Sequence, residues 1–225
     1  MKDNLRGKAF IVKSIQSMSG KYTRYQIFQD WVECSALAIT NNCELIHDDV
    51  WNEREECYKQ IMNKYELKER QTLSAMFQAL IDEFDERLEQ KNLTDVLGEI
   101  YMELGAGNKN LGQVFTPYCL ALMCAKLALD DGSEDFTFNE PACGGGVMII
   151  GVAQNLLEKG INYQRKMHGV CQDLDRNCVF MCYVQLSLLG IDAIVVQGDT
   201  IRDPYHINYP KERMYRTPKN TGMLI

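Results

Sequence analysis

The sequence predicts an α/β protein, a helical first half followed by a sheet whose strands alternate with helices. Three observations predict it. Apolar residues recur at helical spacing through much of residues 25 to 104. From residue 136 onward, short apolar runs alternate with helical stripes, the pattern of a parallel sheet with crossover helices. Three of those runs end at an acidic residue, and the first leads into three consecutive glycines.

The first predicted helix runs from about Tyr25 to Ile39 and carries Ile27, Phe28, Trp31 and Val32 inward. A long one follows over about residues 52 to 90, with Leu73, Met76, Phe77, Leu80, Ile81, Phe84 and Leu88 on one face. A third starts at the Thr94-Asp95 cap, turns Leu97, Ile100, Tyr101 and Leu104 inward, and stops at Gly105. Stripes of this kind are core. The polar stretch Gly105 to Asn110 is the expected boundary, giving a helical N-terminal domain over 1–104 and a second domain over 111–225. Past it, Thr116 is an N-cap and Pro117 a first helical residue, and the predicted inward face is Leu120, Met123, Cys124 and Leu127.

Phe136 to Phe138 reads as a strand running into Asn139-Glu140-Pro141-Ala142-Cys143-Gly144-Gly145-Gly146. Three glycines let the backbone take positive φ and let a ligand approach the amides closely. The next helix carries Met148, Ile149, Val152, Ala153, Leu156 and Leu157 on one face and ends at Gly160. A second strand, Met167 to Cys171, delivers Gln172-Asp173-Leu174-Asp175. In a doubly wound sheet an acid at the end of the second strand can accept hydrogen bonds from ribose hydroxyls, the role Asp173 fits. Asp175 caps a helix with Val179, Cys182, Tyr183, Leu186 and Leu189 inward, closed by Gly190. The third strand, Ala193 to Val196, ends in Gly198-Asp199-Thr200. Together these predict a Rossmann-like sheet holding a nucleotide-like cofactor. The dinucleotide spacing Gly-x-Gly-x-x-Gly is not met, because residue 149 is Ile.

Leu111-Gly112-Gln113-Val114-Phe115-Thr116-Pro117, the glycine segment 139–146, Gln172 to Asp175, and Gly198-Asp199-Thr200 resemble, in words and in order, the S-adenosylmethionine motifs of adenine-specific (N-6) DNA methyltransferases. The likeness covers roughly residues 94 to 203 and is strongest to the modification subunits of type I restriction systems. It implies a class of S-adenosylmethionine-dependent sheet preceded by helices, and methyl transfer to the exocyclic amine of adenine in DNA. It carries Gln113, Phe115 and Thr116 onto the methionine end of the cofactor. Glu140, Pro141, Ala142, Cys143, Gly144 and Gly146 fall on its amino-acid part, Asp173 on the ribose, and Asp199 with Thr200 near the adenine. Glu140 and Gly145 depart from the usual Asp-Pro-Ala-Cys-Gly-Ser-Gly.

The family's amine-binding segment, Asn-Pro-Pro-Tyr/Phe, is missing. Its polar side chain and a backbone carbonyl orient the target amine, and its aromatic ring stacks on the everted base. Pro117, Pro141, Pro204, Pro210 and Pro218 include no adjacent pair. Asp203-Pro204-Tyr205 and Asn208-Tyr209-Pro210 contain similar residue types, which makes Asp203 and Asn208 weak catalytic candidates. No Pro-Cys pair offers a cytosine-directed nucleophile. With 26 residues after Asp199, the sheet reads as incomplete, Thr221 to Ile225 being the one further strand expected. The alternative is therefore an inactive S-adenosylmethionine-binding or DNA-associated module that needs a partner subunit or a second copy. Methylation of protein or RNA is a third reading, and the missing motif counts equally against it.

The chain carries net charge −7, with +5 over residues 1–25, +3 over 202–225 and −15 between. That distribution predicts weak DNA binding by the isolated protein, through its basic ends. Nine cysteines with no Cys-x-x-Cys pair predict reduced thiols in the cytoplasm, and three scattered histidines predict no metal site. No apolar run of membrane-spanning length and no signal-peptide stretch is seen.

Overall fold

A computed structural model of the chain describes residues 5–105, 115–128 and 136–223. The helical half comprises α1 (Gly7–Met18), α2 (Arg24–Cys43), α3 (Asp49–Met62), α4 (Leu67–Glu89) and α5 (Val96–Gly105). The α1 helix has no counterpart in the sequence reading, although Ile11, Val12 and Ile15 are buried at helical spacing along it. The predicted helix over 52–90 is two helices. Asn63 to Glu66 form a turn between them, and Glu66 opens α4 with a reciprocal capping box to Glu69. Thr23 and Gln26 make the same device at the start of α2.

The remaining elements are α6 (Tyr118–Ala128), β1 (Phe136–Glu140), α7 (Val147–Glu158), α8 (Tyr163–Lys166), β2 (Met167–Asp173), α9 (Arg176–Leu188), β3 (Asp192–Gln197) and β4 (Met214–Arg216). The sheet order is β1-β2-β3-β4, with β1, β2 and β3 parallel and β4 antiparallel to β3. A short 3-10 turn, Lys211–Arg213, feeds β4. Among the described residues the final strand is thus Met214–Arg216, and not one beginning at Thr221. Thr221 and Gly222 lie in a turn closed by the Thr221 amide on the Thr217 carbonyl, and Leu224 and Ile225 are outside the described residues.

Strands that advance in one direction through right-handed crossovers place their helices on one face of the sheet. The buried side chains agree: Met167, Cys171, Ala193 and Val195 are fully buried beneath α9 residues Val179, Cys182 and Tyr183. The register puts Thr137, Asn139, His168 and Ile194 on the opposite face, and each of these is exposed or half-buried. Among the described residues β1 has one strand neighbour, β2.

The helical half joins this core directly. The α2 helix lies along α9, and one continuous apolar cluster includes Phe28, Trp31 and Leu37 with Phe180, Tyr183 and Tyr215. Arg54 of α3, 5% exposed, donates to Glu44 at 2.7 Å and to the carbonyls of Lys211 and Met214 at 2.8 and 2.9 Å. Its guanidinium also lies over the Tyr215 ring, so β4 is held from the helical side.

The α6 helix inverts its predicted face. Leu120, Met123 and Leu127 are 46%, 52% and 80% exposed, Cys124 is exposed, and the buried residues are Ala121 and Ala125. Small side chains let α6 approach α7 at Gly151, where a Cβ would stand 3.0 Å from the Ala121 carbonyl carbon. The helix begins at Tyr118, one residue later than expected, with the Pro117 carbonyl accepting from Leu120 and Ala121.

Candidate functional site

The carboxyl ends of β1, β2 and β3 meet at one edge of the sheet, where parallel α/β sheets bind ligands. After β1 the chain turns through Pro141 to Gly146. Gly144 and Gly146 take φ of +51° and +93°, a region L side chains adopt only under strain. Gly144 also faces the Phe115 ring, which a Cβ would touch at 3.4 Å. That ring stands edge-on to Tyr101 with centroids 4.9 Å apart, so Phe115 is tied to the helical half and to the loop together. Thr116 is exposed beside it, and Gln113 lies outside the described residues.

Asp173 closes the loop from β2. One carboxylate oxygen accepts the Gly144 amide at 2.8 Å, and the other accepts the Asp175 amide at 2.9 Å. A carboxylate has about four acceptor positions, so acceptor capacity is left for hydroxyl donors. Asp175 caps α9 by accepting from the Asn177 amide at 2.7 Å, as its position predicts. Glu140 is half-buried, its carboxyl pushed up by desolvation against the Ala142 amide.

At the end of β3, Thr200 donates its hydroxyl to the Pro141 carbonyl at 2.6 Å, stitching that strand end to the start of the glycine loop. Asp199 uses one oxygen to cap its own turn, accepting from the Ile201 and Arg202 amides at 3.0 and 3.3 Å. The structure therefore gathers Glu140, Pro141, Ala142, Cys143, Gly144, Gly146, Asp173, Asp199, Thr200 and Phe115 around one edge.

Two buried glutamines complete the frame, and the sequence reading gave neither a role. Gln172, 2% exposed, donates to the Asp203 carbonyl at 2.9 Å and accepts from the Tyr205 amide at 3.1 Å, while its own carbonyl accepts from Cys143 at 3.0 Å. It clamps the Asp203-Pro204-Tyr205 segment beside the glycine loop. Asp203 itself is half-buried with His206 Nε2 3.9 Å away, and Asn208 is exposed. Tyr209 is buried and donates to the Gln197 carbonyl at 2.9 Å, in space that a side chain at Gly198 would need.

Gln185, fully buried on α9, accepts from the Leu97 amide at 3.0 Å and donates to Asp95 and to the Gly145 carbonyl, both at 2.7 Å. Asp95 is more than a cap, since Gln185 ties it to the glycine loop. A Cβ at Gly145 would stand 3.4 Å from the Asp95 carboxylate and 3.3 Å from the terminal methyl of Met181, a close fit that leaves little room for a larger side chain. Burial raises the Asp95 carboxyl above its ordinary value, opposed by the hydrogen bonds from Gln185 and Gly98. A polar residue on an otherwise apolar helical face was the available signal for Gln185.

A family model described as N-6 DNA methylase matches residues 92–216, which contain every element of this edge. No curated protein matches the chain. Among the solved structures similar to the chain are two methyltransferases. One is described as a class I S-adenosylmethionine-dependent methyltransferase from Listeria monocytogenes, with 14% identity and a TM-score of 0.46, over 88% of this chain and 56% of that one. The other is a type I restriction-modification methyltransferase subunit from Streptococcus thermophilus, with 13% identity and a TM-score of 0.44, over 89% of this chain and 59% of that one. The chain thus spans less than two thirds of either. No described helix is long and apolar enough to cross a membrane.

Proposed function

The chain belongs to the N-6 DNA methylase family, whose cofactor is S-adenosylmethionine, and from that premise we propose that it is a DNA methyltransferase acting on the exocyclic amine of adenine, of the restriction-modification type. The observation that carries the reading is the bond from the Gly144 amide to Asp173, which joins a glycine loop and a ribose-type acid at adjacent strand ends. The fit is supported by the cradle at Gly144 and Gly146, by the remaining acceptor capacity of Asp173, and by Phe115 over the loop.

In this reading the loop from Glu140 to Gly146, with Gln113, Phe115 and Thr116, holds the amino-acid part of the cofactor. Asp173 accepts from its ribose hydroxyls, and Asp199 and Thr200 border its adenine. When bound, the cofactor supplies a methyl group already activated by the sulfonium. The chain's part is then to bind, orient and exclude water, because positioning contributes most to such a transfer. The amine must be oriented by acceptor groups, for which Asp203 and Asn208 are the candidates this chain offers. Gln172 fixes the backbone of the first.

A second reading has support from a separate observation. In a doubly wound sheet the crevice forms where strand order reverses, with further strands beyond the first. Here β1 has no second neighbour among the described residues, and the sequence has no Asn-Pro-Pro-Tyr/Phe segment. On this reading the chain is an S-adenosylmethionine-binding module whose acceptor half comes from a partner, either a specificity-type subunit or a second copy.

The test is transfer of labelled methyl from S-adenosylmethionine to DNA by the purified chain, with the product identified by mass spectrometry as N6-methyladenine. Turnover above one methyl per chain supports the enzyme acting alone. Cofactor binding without transfer supports the module, and no cofactor binding removes both readings.

A further inference from the structure

The helical half encloses a cavity of its own, about 130 Å³ in volume, between α2, α3 and α4. Trp31 and Leu73 are buried at its floor, and Ala38, Tyr58, Met62 and Phe77 are half-buried around its mouth. None of the residues that line it is Asp, Glu, Lys, Arg or His. Burial pushes the Cys34 thiol and the Tyr58 phenol in its wall above their ordinary values, so both stay neutral.

The polar groups of this wall are unevenly satisfied. Ser35 donates its hydroxyl to the Trp31 carbonyl at 2.8 Å, and Ser74 donates its own to the Arg70 carbonyl at 3.1 Å. Trp31, 2% exposed, has its indole Nε1–H buried with no acceptor among the described residues. In the unfolded chain water would take that proton, so leaving it unbonded costs free energy that an acceptor in the cavity would recover. A lone water is a poor filler, because a buried water makes about three hydrogen bonds to polar groups, and the wall is built largely from Leu73, Phe77, Met62 and Ala38. An apolar cavity of about 150 Å³, by contrast, stays dry and takes up benzene. The other tryptophan differs: Trp51 Nε1 donates to the Asn41 carbonyl at 3.1 Å.

We propose that this cavity is a binding site for an uncharged, ring-sized molecule carrying one hydrogen-bond acceptor, a ring nitrogen or a carbonyl oxygen, which takes the Trp31 Nε1–H. The apolar wall supplies affinity by covering the ring, and the single donor sets its orientation. A charged ligand is disfavoured, because nothing in the wall would neutralise it. The inference does not rest on the cofactor reading, since no residue of the sheet edge lines this cavity.

Benzene and pyridine serve as probes, because they share one size and shape and differ by a single acceptor nitrogen. Each is titrated into the isotopically labelled full chain at a pH above neutral, where pyridine is uncharged. The indole resonances of Trp31 and Trp51 are followed by NMR, with Trp51→Phe used to assign them. The expected result is saturable binding of both rings, with the Trp31 Nε1 proton shifted downfield by pyridine alone and that of Trp51, already bonded, unmoved. Trp31→Phe keeps an aromatic ring and removes the donor, so it should weaken pyridine relative to benzene by roughly fivefold or more. Comparing two rings of one size in the same variant cancels any change in the cavity itself. Should Trp31→Phe fail to fold, the shift in the native chain decides. No saturable binding of either ring overturns the proposal, as does pyridine binding that leaves the Trp31 Nε1 proton where benzene leaves it.

Discussion

The carboxylate of Asp173 holds the backbone amide of Gly144 at 2.8 Å across 29 residues of sequence. One side chain therefore fixes the shape of the loop and also presents acceptors beside it, so under the proposed function loop order and ligand recognition would be coupled at this position. A strand end supplies both because β1 and β2 are in register, Glu140 opposite Cys171, which sets Asp173 beyond the last β1 residue.

Replacing Asp173 should therefore weaken S-adenosylmethionine binding through two losses together. Asp173→Ala is expected to cost about 1–3 kcal/mol, the range for losing a hydrogen bond to a charged group. Asp173→Asn, which keeps an acceptor for one amide, should lose less. Calorimetry orders the three chains, and equal affinity in all of them would remove Asp173 from the site.

Gln172→Leu removes both side-chain bonds to the Asp203-Tyr205 segment and leaves a carbonyl and an amide unpaired. The expected cost is about 1–3 kcal/mol of local stability. Faster proteolytic cleavage near residues 203–209, with the melting transition of the whole chain lowered less, is the pattern to look for.

Asp95 predicts a pH dependence. Its carboxyl is raised above 3.8 in the folded chain, chiefly by burial. A group protonated more readily when folded adds stability at low pH and withdraws it as pH rises past the unfolded value toward the folded one. Urea midpoints should thus fall across that interval in the native chain and fall less in Asp95→Asn. Identical pH profiles would mean that Asp95 is not the group responsible.

Gly151→Ala should force α6 away from α7, because the added methyl meets main-chain atoms of Ala121 and Leu122 at 3.0–3.2 Å rather than a side chain that could turn aside. Overpacking of this kind costs about 1–3 kcal/mol, readable as a shift of the urea midpoint.

What was legible in the sequence was short-range chemistry. The glycine loop, the strand-end acids, the Asp175 cap and the three parallel strands follow from local spacing, and the structure places them where that spacing puts them. What was hidden was long-range. The face of α6 was misread because large apolar residues outrank alanine in a periodicity argument, whereas close contact with Gly151 selects Ala121 and Ala125. The break at residues 63–66 has neither Gly nor Pro to announce it. Met214 to Arg216 is too short to read as a strand, and gains its place from Thr217, whose hydroxyl bonds the Ile191 carbonyl at 2.8 Å. Gln185 acquires meaning only when α5, α9 and the glycine loop are side by side.

The uneven cover of the sheet sets an order in which it should come apart. Among the described residues β2 is paired on both sides, whereas β1 is paired on one, and its Thr137 and Asn139 side chains lie in the open. Brief openings should begin at β1, whose amides would exchange with deuterated solvent ahead of those of β2. The glycine loop hangs from that first strand to release. A ligand gripped by the loop would therefore slow exchange at β1 amides it never touches, since binding to the closed form draws population away from the open one.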